Sequence, residues 1–164
     1  SLHRAAARNT ASKRFRDEPE ERKTAGHVRL GAVKSAKQMA QQSSELGDER
    51  PVAGCEYSPD GNHLATCGWG GAMSVWSVGE GCKKKWTVRA HEERCTGVVW
   101  HPGSAGLVED SASQAVCLAT ASADCTARLF TPSGKLLRKL EGHTDRLARL
   151  AFHPMGRHLA TASF

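Results

Sequence analysis

The sequence predicts an all-β fold of the propeller type, because it contains an internal repeat, the repeat has a blade-length period, and each repeat holds the same strand-and-turn pattern. Three stretches of the 164-residue chain align: RPVAGCEYSPDGNHLATCGWGGAMSVW (50–76), ERCTGVVWHPG with CLATASADCTARLF (93–103 and 117–130), and DRLARLAFHPMGRHLATASF (145–164). Pro59, Pro102 and Pro154 correspond at spacings of 43 and 52. The Leu-Ala-Thr runs at 64–66, 118–120 and 159–161 correspond at 54 and 41. One insertion of 11 residues within 103–117 accounts for both differences and leaves a period of 41–43. That is the length of a four-stranded propeller blade.

The elements follow in order. Each repeat opens with a strand ending in an aromatic residue (Tyr57, Trp100, Phe152), then a Pro/Gly turn, then the Leu-Ala-Thr strand. The two complete repeats add a third strand ending at Trp76 or Phe130, and a fourth at Lys84–Val88 or Leu136–Leu140. Short strands broken by turn residues indicate an all-β sandwich, barrel or propeller, and the fixed period selects the propeller. We place blade one at about 47–90, blade two at about 91–142, and part of a third blade at 143–164. A repeat cannot bury its faces alone, and a closed ring holds ~4–8 blades. Further blades are therefore expected downstream, and the segment by itself is expected to be unstable because its strand edges are open. The chain does not start with Met, so the natural N-terminus is expected upstream.

Charge is unevenly distributed. Residues 1–42 hold 10 Lys/Arg and 4 Asp/Glu, whereas residues 43–164 hold 13 of each, so the net +6 belongs to the N-terminal part. We read residues 1–46 as a basic, partly helical arm or linker. A basic arm on a neutral domain suits nucleic acid or an acidic partner; a solvated linker helix is the plainer alternative. Arg4, Arg8, Lys13, Arg14 and Arg16 are the candidates for contact with RNA phosphates, which would make binding strongly salt-dependent. Val33, Ala36 and Ala40 form a sparse helical stripe suited to packing. No apolar run approaches the ~20 residues of a membrane-spanning helix, and the opening SLHRAAARNT lacks the apolar segment of a secretory signal. The six cysteines, at 55, 67, 82, 95, 117 and 125, show no CxxC spacing. Several fall at apolar strand positions, so they are expected to be reduced thiols in an intracellular protein.

At this point the residues resemble a known family, the WD repeats. Ala90-His91 and Gly142-His143 stand where that family places its Gly-His pair, and Ser122-Ala123-Asp124 and Leu129-Phe130 stand where it places its turn Asp and Trp-ending strand. The resemblance implies a buried hydrogen-bonded tetrad of His, Ser/Thr, Asp and Trp in each blade. In blade two it would comprise His91, Thr120 and Asp124, with Phe130 in place of Trp and one donor missing. In blade one, Asp48 replaces His and Gly70 replaces Asp, so Thr66 and Trp76 remain and the tetrad is broken. In the third blade His143 and Thr161 fit, and the Asp would fall just past Phe164.

A closer resemblance rests on Ser44-Glu45-Leu46-Gly47-Asp48-Glu49-Arg50-Pro51, Tyr57-Ser58-Pro59, Leu118–Asp124, Glu141-Gly142-His143, Asp145–Arg149 and Phe152-His153-Pro154. With the opening Ser1–Ala5, these stretches are similar to the WD-repeat subunit family of the U4/U6 small nuclear ribonucleoprotein of the spliceosome. The similarity spans nearly all of the chain except about 9–43 and the polar insertion 104–116, which is expected to be a surface loop. The resemblance implies a nuclear, non-catalytic scaffold in pre-mRNA splicing. Its implied partners are pre-mRNA-processing factor three, a cyclophilin bound through upstream sequence, and U4 and U6 RNA. No cofactor, membrane or small-molecule substrate is implied. A generic WD-repeat adaptor, such as a ubiquitin-ligase substrate receptor or chromatin scaffold, is the alternative.

Arg94 and Arg146 each lie three residues after the repeat histidine, and are candidate rim contacts for acidic protein or phosphate; a salt bridge with Glu93 or Asp145 is the alternative. Lys83-Lys84-Lys85 and Arg89 are read as guards of an outer edge strand. A metal or thiol enzyme is the rival class. Close ligand pairs such as CxxC or HxxxH are missing, and Gly68-Trp69-Gly70-Gly71 lacks the Lys-Ser/Thr ending of a phosphate loop. His91 and His143 belong to the tetrad, and His101 and His153 to matching His-Pro turns, so an enzyme is not expected.

Overall fold

Strand patterning organises the chain into repeated four-stranded sheets, as seen in a computed structural model that describes residues 19–41, 43–104 and 115–164. Two units separate, 1–42 and 43–164. In the first, helix α1 spans Pro19–Lys37. Proline suits a first helical position, where no N–H is needed. Lys34 and Lys37 in the last turn oppose the negative end of the helix dipole. The expected stripe is not completed within the helix. The helix stops at Lys37, short of Ala40, and both Val33 and Ala36 are exposed. The cause is compositional: polar residues and two glycines, Gly26 and Gly31, interrupt any continuous apolar face. The five arm candidates Arg4, Arg8, Lys13, Arg14 and Arg16 lie outside the described residues, as do 105–114 of the insertion.

In the second unit, β1 (Val52–Tyr57), β2 (His63–Gly68), β3 (Ala72–Ser77) and β4 (Lys83–Arg89) form an antiparallel sheet in sequence order. A second sheet repeats that order with β5 (Cys95–Trp100), β6 (Leu118–Ser122), β7 (Ala127–Phe130) and β8 (Leu136–Leu140). The pair β9 (Leu147–Phe152) and β10 (Leu159–Ser163) begins a third. The sequence repeat is also a repeat of irregularities. Register shifts occur at Val52/Gly54 and Cys95/Gly97, and again at Val75/Trp76 and Leu129/Phe130. These pairs are related by the repeat, so the bulges belong to the blade design.

The sheets pack face to face. Cys67, Met73 and Val75 of the first sheet bury against Cys95, Trp100 and Phe130 of the second. Ala119 and Ala121 meet Leu147 and Leu150 of the third. Small residues at Gly54 and Gly97 allow the innermost strands to approach: a Cβ on Gly54 would lie 3.5 Å from Gly97 Cα. Polar bonds fasten the same interfaces. Trp100 donates its backbone N–H to Glu56 Oε2 at 2.6 Å and its indole N–H to the Glu56 carbonyl at 2.9 Å. The Thr96 hydroxyl donates to the Leu147 carbonyl at 2.8 Å. The described cysteines are free thiols; Cys67, Cys95 and Cys117 are buried, and burial pushes the Cys117 thiol up to about 11.

Candidate functional site

The hydrogen-bonded network of the second sheet is built from the loop before β5, the middle of β6, and the turn after it. His91 is fully buried. Its Nδ1 lies 2.9 Å from Asp124 Oδ2, and its Nε2 lies 2.7 Å from Thr120 Oγ1. A carboxylate only accepts, so Nδ1 carries the proton and Nε2 accepts from the threonine hydroxyl. Burial pushes the His91 imidazole below its ordinary range more strongly than the Asp124 hydrogen bond raises it. Burial opposes the Asp124 charge, but hydrogen bonds from Thr126 and His91 outweigh it and hold the carboxyl low. The pair is therefore a neutral imidazole donating to a carboxylate.

Phe130 supplies no donor to Thr120, whereas in the first sheet the Trp76 indole donates to Thr66 Oγ1 at 2.9 Å. Arg128 instead reinforces the acidic end of the second-sheet network. Its Nη2 lies 3.6 Å from Asp124, and its Nη1 donates to the Ala90 carbonyl at 2.7 Å. The sequence reading did not single out Arg128; a lone cation inside an otherwise apolar strand was the available signal. In the first sheet, Asp48 accepts the Gly70 N–H at 2.9 Å. In the third, His143 Nε2 lies 2.8 Å from Thr161 Oγ1 at an exposed site.

Arg94 and Arg146 immediately precede β5 and β9, and serine hydroxyls hold their backbones. Ser122 donates to the Arg94 carbonyl at 2.9 Å, and Ser163 to the Arg146 carbonyl at 3.1 Å. Their side chains lie over aromatic rings: Arg94 Cζ is 4.9 Å from the Trp69 centroid, and Arg146 Cζ is 4.3 Å from that of Phe164. Neither arginine pairs with Glu93 or Asp145 among the described residues. The Trp69 partnership was missed in the sequence. Its only trace is an aromatic residue in a β-turn position where the second repeat has Ala123.

Sheets of four antiparallel strands on a fixed period, joined by a His–Asp–Thr relay, define a repeat scaffold of the WD class. The chain belongs to that family: WD domain, G-beta repeat matches residues 41–77, 82–131 and 134–164. Among named proteins it is similar to the U4/U6 small nuclear ribonucleoprotein PRP4-like protein of Arabidopsis thaliana, with 44% identity over 87% of this chain and 23% of that protein. It is 34% identical to the U4/U6 small nuclear ribonucleoprotein Prp4 of Homo sapiens over 63% of this chain and 19% of that protein. An uncharacterized WD repeat-containing protein of Schizosaccharomyces pombe is 39% identical over 74% of this chain and 26% of its own length. The chain thus spans about a quarter or less of the relatives it matches.

Proposed function

We propose that this chain is part of a non-catalytic WD-repeat scaffold of the U4/U6 small nuclear ribonucleoprotein, working in the nucleus in pre-mRNA splicing. The observation that carries this reading is the 44% identity, over 87% of the chain, to a relative named for that particle. In this reading, residues 1–46 form the basic arm and 47–164 the start of the propeller. Arg94 and Arg146 offer guanidinium groups at the rim, and Arg4, Arg8, Lys13, Arg14 and Arg16 neutralise RNA phosphates. Pre-mRNA-processing factor three, a cyclophilin, and U4 and U6 RNA are the partners.

The histidines support a structural role over a catalytic one. His91 and His143 are held by repeat hydroxyls. His101 and His153 each accept, at Nδ1, the backbone N–H two residues on, both at 3.1 Å, so each closes its own turn. The test is affinity purification of the tagged full-length protein from nuclear extract, with sequencing of co-eluting small RNAs. We expect U4 and U6 to be enriched together. Their absence, with unrelated proteins recovered instead, overturns the reading in favour of a generic adaptor.

A further inference from the structure

The loop between β2 and β3 presents an exposed indole on a backbone with little freedom left. Trp69 is 44% exposed. Yet its N–H donates to the Pro51 carbonyl at 3.0 Å, and the Gly70 N–H to Asp48 at 2.9 Å. The Gly71 carbonyl accepts from the N–H groups of Ala90 and His91 at 2.9 and 3.0 Å. Arg94, lying over the ring, is equally constrained, its carbonyl receiving the Ala123 N–H and the Ser122 hydroxyl, both at 2.9 Å. A preorganised apolar surface loses little entropy when covered. Trp and Arg are also the residue types that most often dominate binding energy at protein interfaces.

The two side chains line a cleft of about 770 Å³. Its charges indicate what it takes. Arg50, Lys84, Arg89 and Arg94 line it together with Asp48, Glu49, Glu92 and Glu93. A polyanion would meet as many carboxylates as cations and gain no net field. The acids are partly committed: Asp48 to Gly70, and Glu92 to Arg89 at 3.5 Å. Arg94 has no carboxylate partner among the described residues, and stacking on the indole leaves its edge donors free for one.

We propose that this cleft docks a protein segment that lays an aromatic or aliphatic side chain on Trp69 and sets an adjacent carboxylate against Arg94. The proposal rests on the scaffold reading and names the chemistry of one of its partners. The test uses the full-length protein and fluorescence polarisation with labelled twelve-residue peptides. One carries a central Phe flanked by Asp in a Gly/Ser background; its controls replace Asp by Asn or Phe by Ala. A single-stranded oligouridylate is the RNA probe.

The acidic-aromatic peptide should bind, and each control should bind at least tenfold more weakly. Trp69→Ala and Arg94→Gln should each weaken binding at least tenfold, while Trp69→Phe, which keeps a ring, and Arg157→Gln, an exposed arginine outside the cleft, should not. Because the basic arm is intact in all variants, attraction to the arm alone would leave them indistinguishable and overturn the proposal. So would failure of the peptide to bind, or oligouridylate binding that depends on Trp69 and Arg94. Circular dichroism of each variant separates misfolding from lost contact. U4/U6 recovery from the same preparations keeps the two ideas apart. RNAs retained without peptide binding sink only the docking site; peptide binding without the RNAs sinks only the splicing assignment.

Discussion

The Asp48 carboxylate accepts the Gly70 backbone N–H at 2.9 Å, and this bond joins the same two repeat positions that His91 and Asp124 join at 2.9 Å in the next blade. Donor and acceptor have exchanged sides, and the backbone has become the donor. The exchange requires glycine: a Cβ on Gly70 would stand 2.6 Å from Asp48 Oδ1, and one on Gly68 would stand 2.6 Å from Asp48 Cβ. Blade one thus keeps both halves of its network, Asp48–Gly70 and Thr66–Trp76. With no histidine, nothing links one half to the other.

Gly70→Ala should therefore cost about 2 kcal/mol, from a displaced carboxylate and an unmade hydrogen bond. Asp48→Ala should cost about 1 kcal/mol. Because Asp48→Ala removes the atoms with which the new methyl collides, the double variant should fall short of additivity by ~1 kcal/mol. Denaturant unfolding of the four full-length proteins measures the coupling, and simple additivity would refute it.

His91→Ala leaves a cavity, strands the Thr120 hydroxyl and removes one hydrogen-bond partner of the Asp124 carboxylate. We expect a loss of about 3 kcal/mol. Asp124→Asn, which keeps the shape but removes the charge that holds the Nδ1 proton, should cost less, ~1–2 kcal/mol. A negligible loss for Asp124→Asn beside a full loss for His91→Ala would show that packing, not the relay, carries the stability.

Stability should fall on acidification below neutral pH. Burial holds both His91 and His63 below 6.5, so between their folded values and 6.5 the unfolded chain binds more protons. Their contribution is complete above 6.5 and is lost as pH falls through that window. Asp60 and Asp124, both held low, keep theirs until pH drops below about 3.8. Glu56, raised by burial, acts in the opposite sense from about 4.5 upward. His91→Gln should flatten the melting temperature profile between pH 5 and pH 7 (~ one proton's slope at most); an unchanged profile would contradict the neutral assignment.

Trp76→Phe removes the indole donor to Thr66 while keeping a ring, and so recreates in blade one the situation of Phe130. The expected cost is about 1 kcal/mol. Phe130→Trp offers Thr120 the reciprocal donor, but its site is only 2% exposed, so crowding should offset much of the gain. Comparing melting temperatures of the two full-length variants tests whether the donor or the ring matters.

Replacing Arg4, Arg8, Lys13, Arg14 and Arg16 together by Gln should weaken RNA binding by the full-length protein and reduce its salt dependence. Five lost phosphate contacts on a single strand would lower the log–log slope by ~3.5. An unchanged slope would make the arm a linker.

How far the sequence could be read depended on the kind of interaction. Pro59, Pro102 and Pro154 mark one turn three times, and repetition of that sort reveals a period without any alignment. His91, Thr120 and Asp124 were legible through the resemblance to WD repeats, which implies such a network, and the network is physically sensible because a buried His and Asp must satisfy each other. Arg128 and Trp69 were not. Each acts once, Trp69 under Arg94 and Arg128 on the distant Ala90 carbonyl as well as on nearby Asp124, and neither leaves a periodic trace. The stripe of Val33, Ala36 and Ala40 is cut short because the helix ends at Lys37, before Ala40.

By itself, then, the sequence determined the blade, its length, and which residues recur at its turns, while the network positions were implied by its resemblance to WD repeats. These follow from local preferences of strand and turn and from burial patterns that repeat every 41–43 residues. Only the tertiary structure decided how the non-repeating residues are used. It set Asp48 against Gly70, Arg128 against the Ala90 carbonyl and Arg94 over Trp69, because each of those contacts exists only once two separate segments are brought to one place.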